Sequence, residues 1–269
     1  MSFRLIKTEK NTKARLGELT TPHGVVKTPV FIISLLIIMK FMDVPLAADP
    51  IVNWGNYEVK VRDGVIDKAS AKAELPVIIN DLQQICGKYD FSEHQAWIFP
   101  LKGYGLTSIA TKGSDFQPDI VYGVSPIKGY NFFDGNKHGG HPAHDIFIRD
   151  KDQNNLDDQT RQPVAALAMV DSIVLSTFTN WQKGSKLRGG NYIWLYNPKL
   201  DVFFYYAHLD KVLVTSGDLV KAGTVIGTVG RSGLLANMKS SPTHIHLMVL
   251  KYENGILKPY EYYEELIHE

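Results

Sequence analysis

Two short histidine-bearing patches carry the residues best suited to chemistry: HGGHPAHD from His138 to Asp145, and THIHLMVL from Thr243 to Leu250. In the second, His244 and His246 flank Ile245. On a β-strand the period-two alternation puts both imidazoles on one face and Ile245 on the other. In the first, Pro142 lies between His141 and Asp145 and prevents a regular helix from His141 on. This predicts a loop residue at His141 and the first residue of a strand, Asp145-Ile-Phe-Ile, at Asp145. Two imidazoles and one carboxylate form a set that zinc favours, with a fourth position left for water. The two patches are therefore expected to meet and hold one zinc ion. An HxH pair by itself is also an ordinary surface or core feature in a chain with nine histidines, so the reading needs the rest of the chain.

The elements that must position these patches read as short strands punctuated by glycine. They are WIFPL, HDIFI, PVAALAMV with DSIVLST, NYIWLYN, VFFYYAHL, KVLVTSGDLV, TVIGTVG and HIHLMVL. The prediction is a mostly β fold, an antiparallel sandwich or open barrel over 97–269. Pro163 opens one strand, where its missing N–H costs least. Gly189, Gly190, Gly223, Gly227, Gly230 and Gly233 mark turns or close backbone approaches. Residues 49–96 read as a small α+β segment. NYEVKVRDGVI alternates about an Asp63-Gly64 turn and predicts a hairpin. Ala69 to Cys86 has helical spacing, with Pro76 in its first turn or breaking it.

Composition narrows the partners. The net charge of +1 offers no basic field for obligatory nucleic-acid binding. The single cysteine, Cys86, excludes an intrachain disulfide and a thiolate-rich zinc site, leaving nitrogen and oxygen ligands. It is most simply a small apolar residue at a helix end. The run FIISLLIIM, Phe31 to Met39, is too short to span a bilayer, which takes about 20 apolar residues. Lys27 precedes it and VPLAADP follows, with Ala48 as the last residue before cleavage; this is the layout of a secretory signal over 31–48. Leu46 is larger than ideal and Lys40 closes the run early, and a buried strand is the alternative. The expectation is an exported protein, periplasmic or in the cell envelope or extracellular, meeting the membrane only for export or tethering.

From Trp97 to about Tyr263 the chain resembles the lysostaphin-type, LytM-like zinc metallopeptidases (metallopeptidase family 23) that cut bacterial cell-wall peptides. The pieces stand in the family's order: FPLKGYG, HPAHD for its HxxxD, PVAALAMVDSIV, GGNYIWL, YYAHLDKVLVTSGDLVKAGTVIGTVGRSG, and HIHLMV for its HxH. The resemblance implies that His141, Asp145 and His246 bind zinc and that His208 and His244 are unligated catalytic histidines. Zinc brings the pKa of its water to about 7, and histidines can take up and return protons near neutral pH. His208 could instead be an ordinary hairpin-end histidine, and His244 could be the ligand in place of His246. The implied substrate is peptidoglycan peptide. A non-catalytic cell-wall-binding or hydrolase-regulating module of the same fold is the alternative.

The chain departs from the pattern at Ala143, where the family usually has glycine, and at His144, where an apolar residue is common; His144 is expected to face away from the metal. The stretch RDKDQNNLDDQTRQ lacks the glycine and glutamate of a calcium loop and reads as a solvated loop. Leu234 to Pro242 replaces a short serine-rich turn and is placed to shape the cleft. Phe132, Phe133, Tyr192, Trp194 and Tyr206 line a groove or belong to the core. Separately, residues 3–31, above all TTPHGVVKTPVF, resemble the opening of bacterial tRNA-guanine transglycosylases. None of that family's catalytic aspartates or zinc-binding cysteines can be placed here, so the fragment (1–30) is expected to be a fused or upstream remnant without base-exchange activity.

Overall fold

The computed structural model describes residues 2–8, 15–21, 24–29, 49–87, 89, 91, 96–106 and 129–267. The signal-like segment 31–48 lies outside the described residues. The chain divides into two compact units, Met1–Ala48 and Asp49–Glu269. The first unit pairs β1 (Ser2–Thr8), β2 (Arg15–Thr21) and β3 (Gly24–Pro29) as an antiparallel sheet in that order.

The second unit begins with two helices, α1 (Pro50–Arg62) and α2 (Lys68–Cys86). Asp49 caps α1 by accepting from the Ile51 amide, with Pro50 at the first helical position, where a missing donor costs nothing. The hairpin expected over NYEVKVRDGVI is therefore a helix. Tyr57, Val59 and Val61 do alternate, but Trp54, Tyr57, Glu58 and Val61 also fall at helical spacing, and these four are buried while Val59 is exposed. Gly64, at φ 67°, follows the end of that helix instead of turning a hairpin. The helix α2 runs through Pro76. Buried Leu75, Ile79 and Leu82 hold it together across the one donor the proline lacks. Residues 49–87 are thus helical, not α+β.

Nine strands form the main sheet, in the antiparallel order β12-β11-β8-β7-β6-β9, with β10 pairing β5 and β8, and β4 pairing β11. Their ranges are β4 His144–Phe147, β5 Ala165–Leu167, β6 Ser172–Phe178, β7 Asn191–Asn197, β8 Val202–Val212, β9 Leu219–Val220, β10 Val225–Val229, β11 His244–Glu253 and β12 Ile256–Pro259. A short helix, α3 (Tyr263–Ile267), follows. The mostly β, antiparallel expectation holds. WIFPL forms no strand; only Leu101 bridges to Ala166.

Alternation sorts the strands onto two cores. Ile193, Leu195, Phe204, Tyr206, Ile245 and Leu247 join one cluster. Tyr192, Trp194, Phe203, Met248 and Leu250 join the other, together with Trp54, Tyr57 and Leu75 of the helices. Trp54 stacks on Phe203 at 4.7 Å between centroids and is fully buried, removing apolar surface worth on the order of 3 kcal/mol. The helices therefore cover the face of the sheet that also bears His244 and His246.

One interruption of the alternation matters. Tyr206 and Leu209 both face the first core, which a regular strand forbids for residues three apart. The register of β8 against β7 shifts there, from Ile193 opposite Tyr206 to Asn191 opposite Leu209. The extra residue is absorbed at Ala207–His208, where His208 has φ 65°. A bulge of this kind re-aims a side chain: it turns His208 out of the first core and toward the histidines of β11.

Candidate metal centre

The alternation predicted for HIHLMVL is present. Ile245 is fully buried in the first core, and β11 pairs with β4 so that His246 lies opposite Asp145. On β4, His144 and Ile146 point into the interior while Asp145 points the other way. His144 is buried, its Nδ1 2.7 Å from the Tyr262 hydroxyl. Burial lowers its pKa to about 4. It packs behind the site, facing away from the metal-binding groups as the alternation predicts, and Ala143 beside it is fully buried.

His141, Asp145 and His246 each bring a ligand atom within 4.8 Å of the others. Asp145 Oδ1 lies 3.2 Å from His141 Nε2 and 3.0 Å from His246 Nδ1. Tetrahedral zinc bonds of about 2.0–2.2 Å separate neighbouring donors by roughly 3.4 Å, so both nitrogen–oxygen separations stand near the spacing such an ion requires. In the metal-free chain burial pushes the Asp145 carboxyl up. The hydrogen bonds from His141 and His246 and the nearby imidazoles outweigh it, holding the group ionised far below the usual carboxylate range.

His208 and His244 border this triad without joining it. Their ring centroids are 4.9 Å apart, and His208 is 5.6 Å from His246. His244 Nε2 is 3.8 Å from Asp145 Oδ1. Both rings are held in the same way: His208 Nδ1 is 2.8 Å from the Ser232 carbonyl, and His244 Nδ1 is 2.7 Å from the Pro242 carbonyl. A carbonyl oxygen only accepts, so each Nδ1 donates and carries a proton. Burial, then the neighbouring His244 and His246, keeps His208 neutral well below its ordinary pKa.

Gly233 makes this possible. It sits at φ 113°, and a Cβ there would lie 2.3 Å from the Arg188 carbonyl oxygen and 2.8 Å from His208 Nδ1. Gly233→Ala is expected to displace the His208 ring and to lower stability by more than about 1 kcal/mol. Thermal unfolding checks this; an unchanged midpoint would show that the loop accommodates the methyl group.

Residues 156–258 match the model of peptidase family M23. The resemblance expected from the sequence is borne out over that segment. The M23 segment holds His208, His244 and His246, while His141 and Asp145 precede it and reach the site through the β4–β11 pairing. Among solved structures, a LytM protein from Ruminococcus gnavus is 31% identical, covering 39% of this chain and 40% of that chain at a TM-score of 0.32. The catalytic domain of the antimicrobial peptidase lysostaphin from Staphylococcus simulans is 25% identical, covering 56% of this chain and 92% of that one at a TM-score of 0.34. At the amino terminus, a queuine tRNA-ribosyltransferase from Latilactobacillus sakei is 64% identical over 31 residues, 12% of this chain. The chain spans only 8% of that curated relative's length.

Around the M23 histidines lies a cavity of about 260 Å³. Phe132, Tyr192 and Trp194 line it. Tyr206 does not; it belongs to the first core, with its hydroxyl donating to the Leu167 carbonyl. Phe133 packs against the second core. The neighbours of these residues, Tyr205 and Tyr130, line the cavity instead, and nothing in their spacing distinguishes them in the sequence. Leu235, Ala236 and Ser241 of the 234–242 loop also reach it. Arg231 ties that loop down by donating to the Met238 and Ser241 carbonyls.

The stretch 149–162 is more than a solvated loop. Asp150 is buried and accepts from Thr243 Oγ1 at 2.6 Å and from the amides of Asn154 and Asn155. This fixes the residue that precedes His244. Asp150, Asp152 and Asp158 also gather within 4.8 Å, but these bonds already engage both Asp150 oxygens.

The same cavity is lined by Glu58 of α1, which no motif singled out. It is 5% exposed. Burial raises its pKa to about 7, against the opposing hydrogen bond from Tyr192 and the charge of Arg62. A carboxyl with a raised folded pKa adds stability below its unfolded pKa near 4.5 that is lost as pH rises through 7. By linkage the loss approaches about 3 kcal/mol. Denaturant midpoints at pH 5 and pH 8 should show a fall that Glu58→Gln shrinks by about that amount. An equal fall in the variant would mean that folding does not raise the Glu58 pKa above its unfolded value.

Proposed function

We propose that this chain is a zinc-dependent endopeptidase that hydrolyses the peptide cross-links of bacterial peptidoglycan. The observation that carries the reading is the convergence of five side chains. His141, Asp145 and His246 offer one set of donor atoms, and His208 and His244 lie beside it with their Nδ1 atoms committed to backbone carbonyls. The family match supports peptidase chemistry at this site.

In this reading His141, Asp145 and His246 hold the zinc ion. When bound, the ion supplies Lewis acidity and a water acidified to near neutral pH. His208 Nε2 takes up the proton released as a water molecule attacks the scissile carbonyl, since its ring is neutral and its Nδ1 is already committed to Ser232. His208 then returns that proton to the leaving amine, and His244, its ring set by Pro242, stands beside it to relay the transfer. The cavity walls of Tyr192, Trp194 and Tyr205 hold an extended peptide and exclude water. The apolar run Phe31–Met39 and the small residues after it support export to the cell envelope, where that substrate lies.

The test is incubation of the purified chain with peptidoglycan, with identification of the new amino termini. Release that a chelator abolishes and zinc restores is expected. No new termini with zinc-loaded protein would reject hydrolysis and leave the binding-module alternative.

A further inference from the structure

Glu58 does more than fasten α1 to the sheet. Its Oε1 accepts from the Tyr192 hydroxyl at 2.8 Å and from Ser176 Oγ at 3.3 Å. Arg62 Nη1 donates to the same Tyr192 oxygen at 2.6 Å, and the Nε and Nη2 of Arg62 are taken by Asp63. The guanidinium, which lines the same cavity, forms no ion pair with Glu58 and acts on it only through its nearby charge. Oε2 accepts from none of the described residues, and Glu58 is one of the side chains that line the cavity. Anchoring the helix uses one carboxylate oxygen; the second is left without a hydrogen bond from a described residue, in a side chain that lines the same cavity as His141, Asp145 and His246.

The walls beside it are aromatic. Tyr205 packs against Tyr192 at 5.2 Å and Trp194 at 4.7 Å between centroids, and all three line the cavity. A buried carboxylate oxygen among aromatic faces is suited to a protonated amine, which gains a charge-assisted hydrogen bond and favourable ring contacts. A neutral donor gains only the hydrogen bond, and an anionic group gains neither.

We propose that Glu58 forms a subsite for a primary ammonium group of the peptide substrate, either a free α-amine or the amine of a basic side chain. This rests on the peptidase reading and adds the substrate class. A carboxyl that burial holds partly protonated near neutral pH ionises fully when such a cation arrives, so the ligand compensates the desolvation that Glu58 otherwise carries.

The experiment uses the full chain, loaded with zinc, and three peptides that differ only in their amines: one with a free α-amine and a lysine, one acetylated, and one with norleucine in place of lysine. KM is measured by cleavage. Binding is measured by calorimetry on the His208→Ala protein, which needs no turnover. Loss of the relevant amine is expected to weaken both about tenfold or more, and whichever substitution does so identifies the source. Glu58→Gln should bind the amine-bearing and amine-free peptides alike while keeping its fold by circular dichroism. A preference that persists in Glu58→Gln, or no preference in the wild type, overturns the subsite. Amine-dependent binding without cleavage by the wild type would uphold the subsite and refute hydrolysis, so the two readings fail separately.

Discussion

Asp145→Asn is expected to bind zinc at least about tenfold more weakly and to lose peptidoglycan hydrolysis. The carboxylate lies between two imidazoles at 3.0 and 3.2 Å, and it is the only anionic donor in the triad. Asparagine keeps the shape of the side chain but brings a neutral amide oxygen, a much weaker zinc ligand beside His141 and His246. Two measurements check the outcome. Metal content after dialysis should fall in the variant. Added zinc should raise the melting temperature of the wild type by mass action, worth about 2.7 kcal/mol at a hundredfold excess over Kd, and should barely move the variant. Wild-type zinc content in Asp145→Asn would take the carboxylate out of the ligand set and leave the proposed site without its charge.

Much of this centre was legible because it depends on local periodicity and on order along the chain. The alternation of HIHLMVL put His244 and His246 on one face, and the structure keeps them there with Ile245 in the core. Pro142 kept His141 in a loop, close enough for the β4–β11 pairing to bring Asp145 opposite His246. What escaped the sequence depends on long-range packing. The direction of His208 is set by a bulge that breaks the alternation of β8, and strict periodicity would have sent the ring into the first core. The same limit separates Tyr205 from Tyr206, adjacent residues of which only the first lines the cavity. Over Asn56–Ile66 two periodicities competed. Helix won because Trp54, Tyr57 and Val61 find a core against Phe203 and Phe132, a partner surface that lies far along the chain. Glu58 was invisible for the same reason, since its role comes from Tyr192 and Ser176 more than a hundred residues away.

His208→Ala is expected to separate the metal from the chemistry: zinc content unchanged, hydrolysis reduced about 10²–10⁴-fold. The ring contributes no atom to the triad. Its Nδ1 is occupied by the Ser232 carbonyl, so only Nε2 is available to move a proton, and burial with the adjacent histidines keeps that atom deprotonated. The backbone complicates the test, because His208 occupies φ 65°, a conformation that costs a typical side chain about 1–2 kcal/mol. Asparagine tolerates this region better than most residues, so His208→Asn preserves the bulge while removing the base. If both variants keep zinc and lose turnover equally, the imidazole itself carries the proton. If asparagine restores turnover, the residue serves the bulge and not the reaction, and His244 becomes the sole candidate for proton transfer beside the metal.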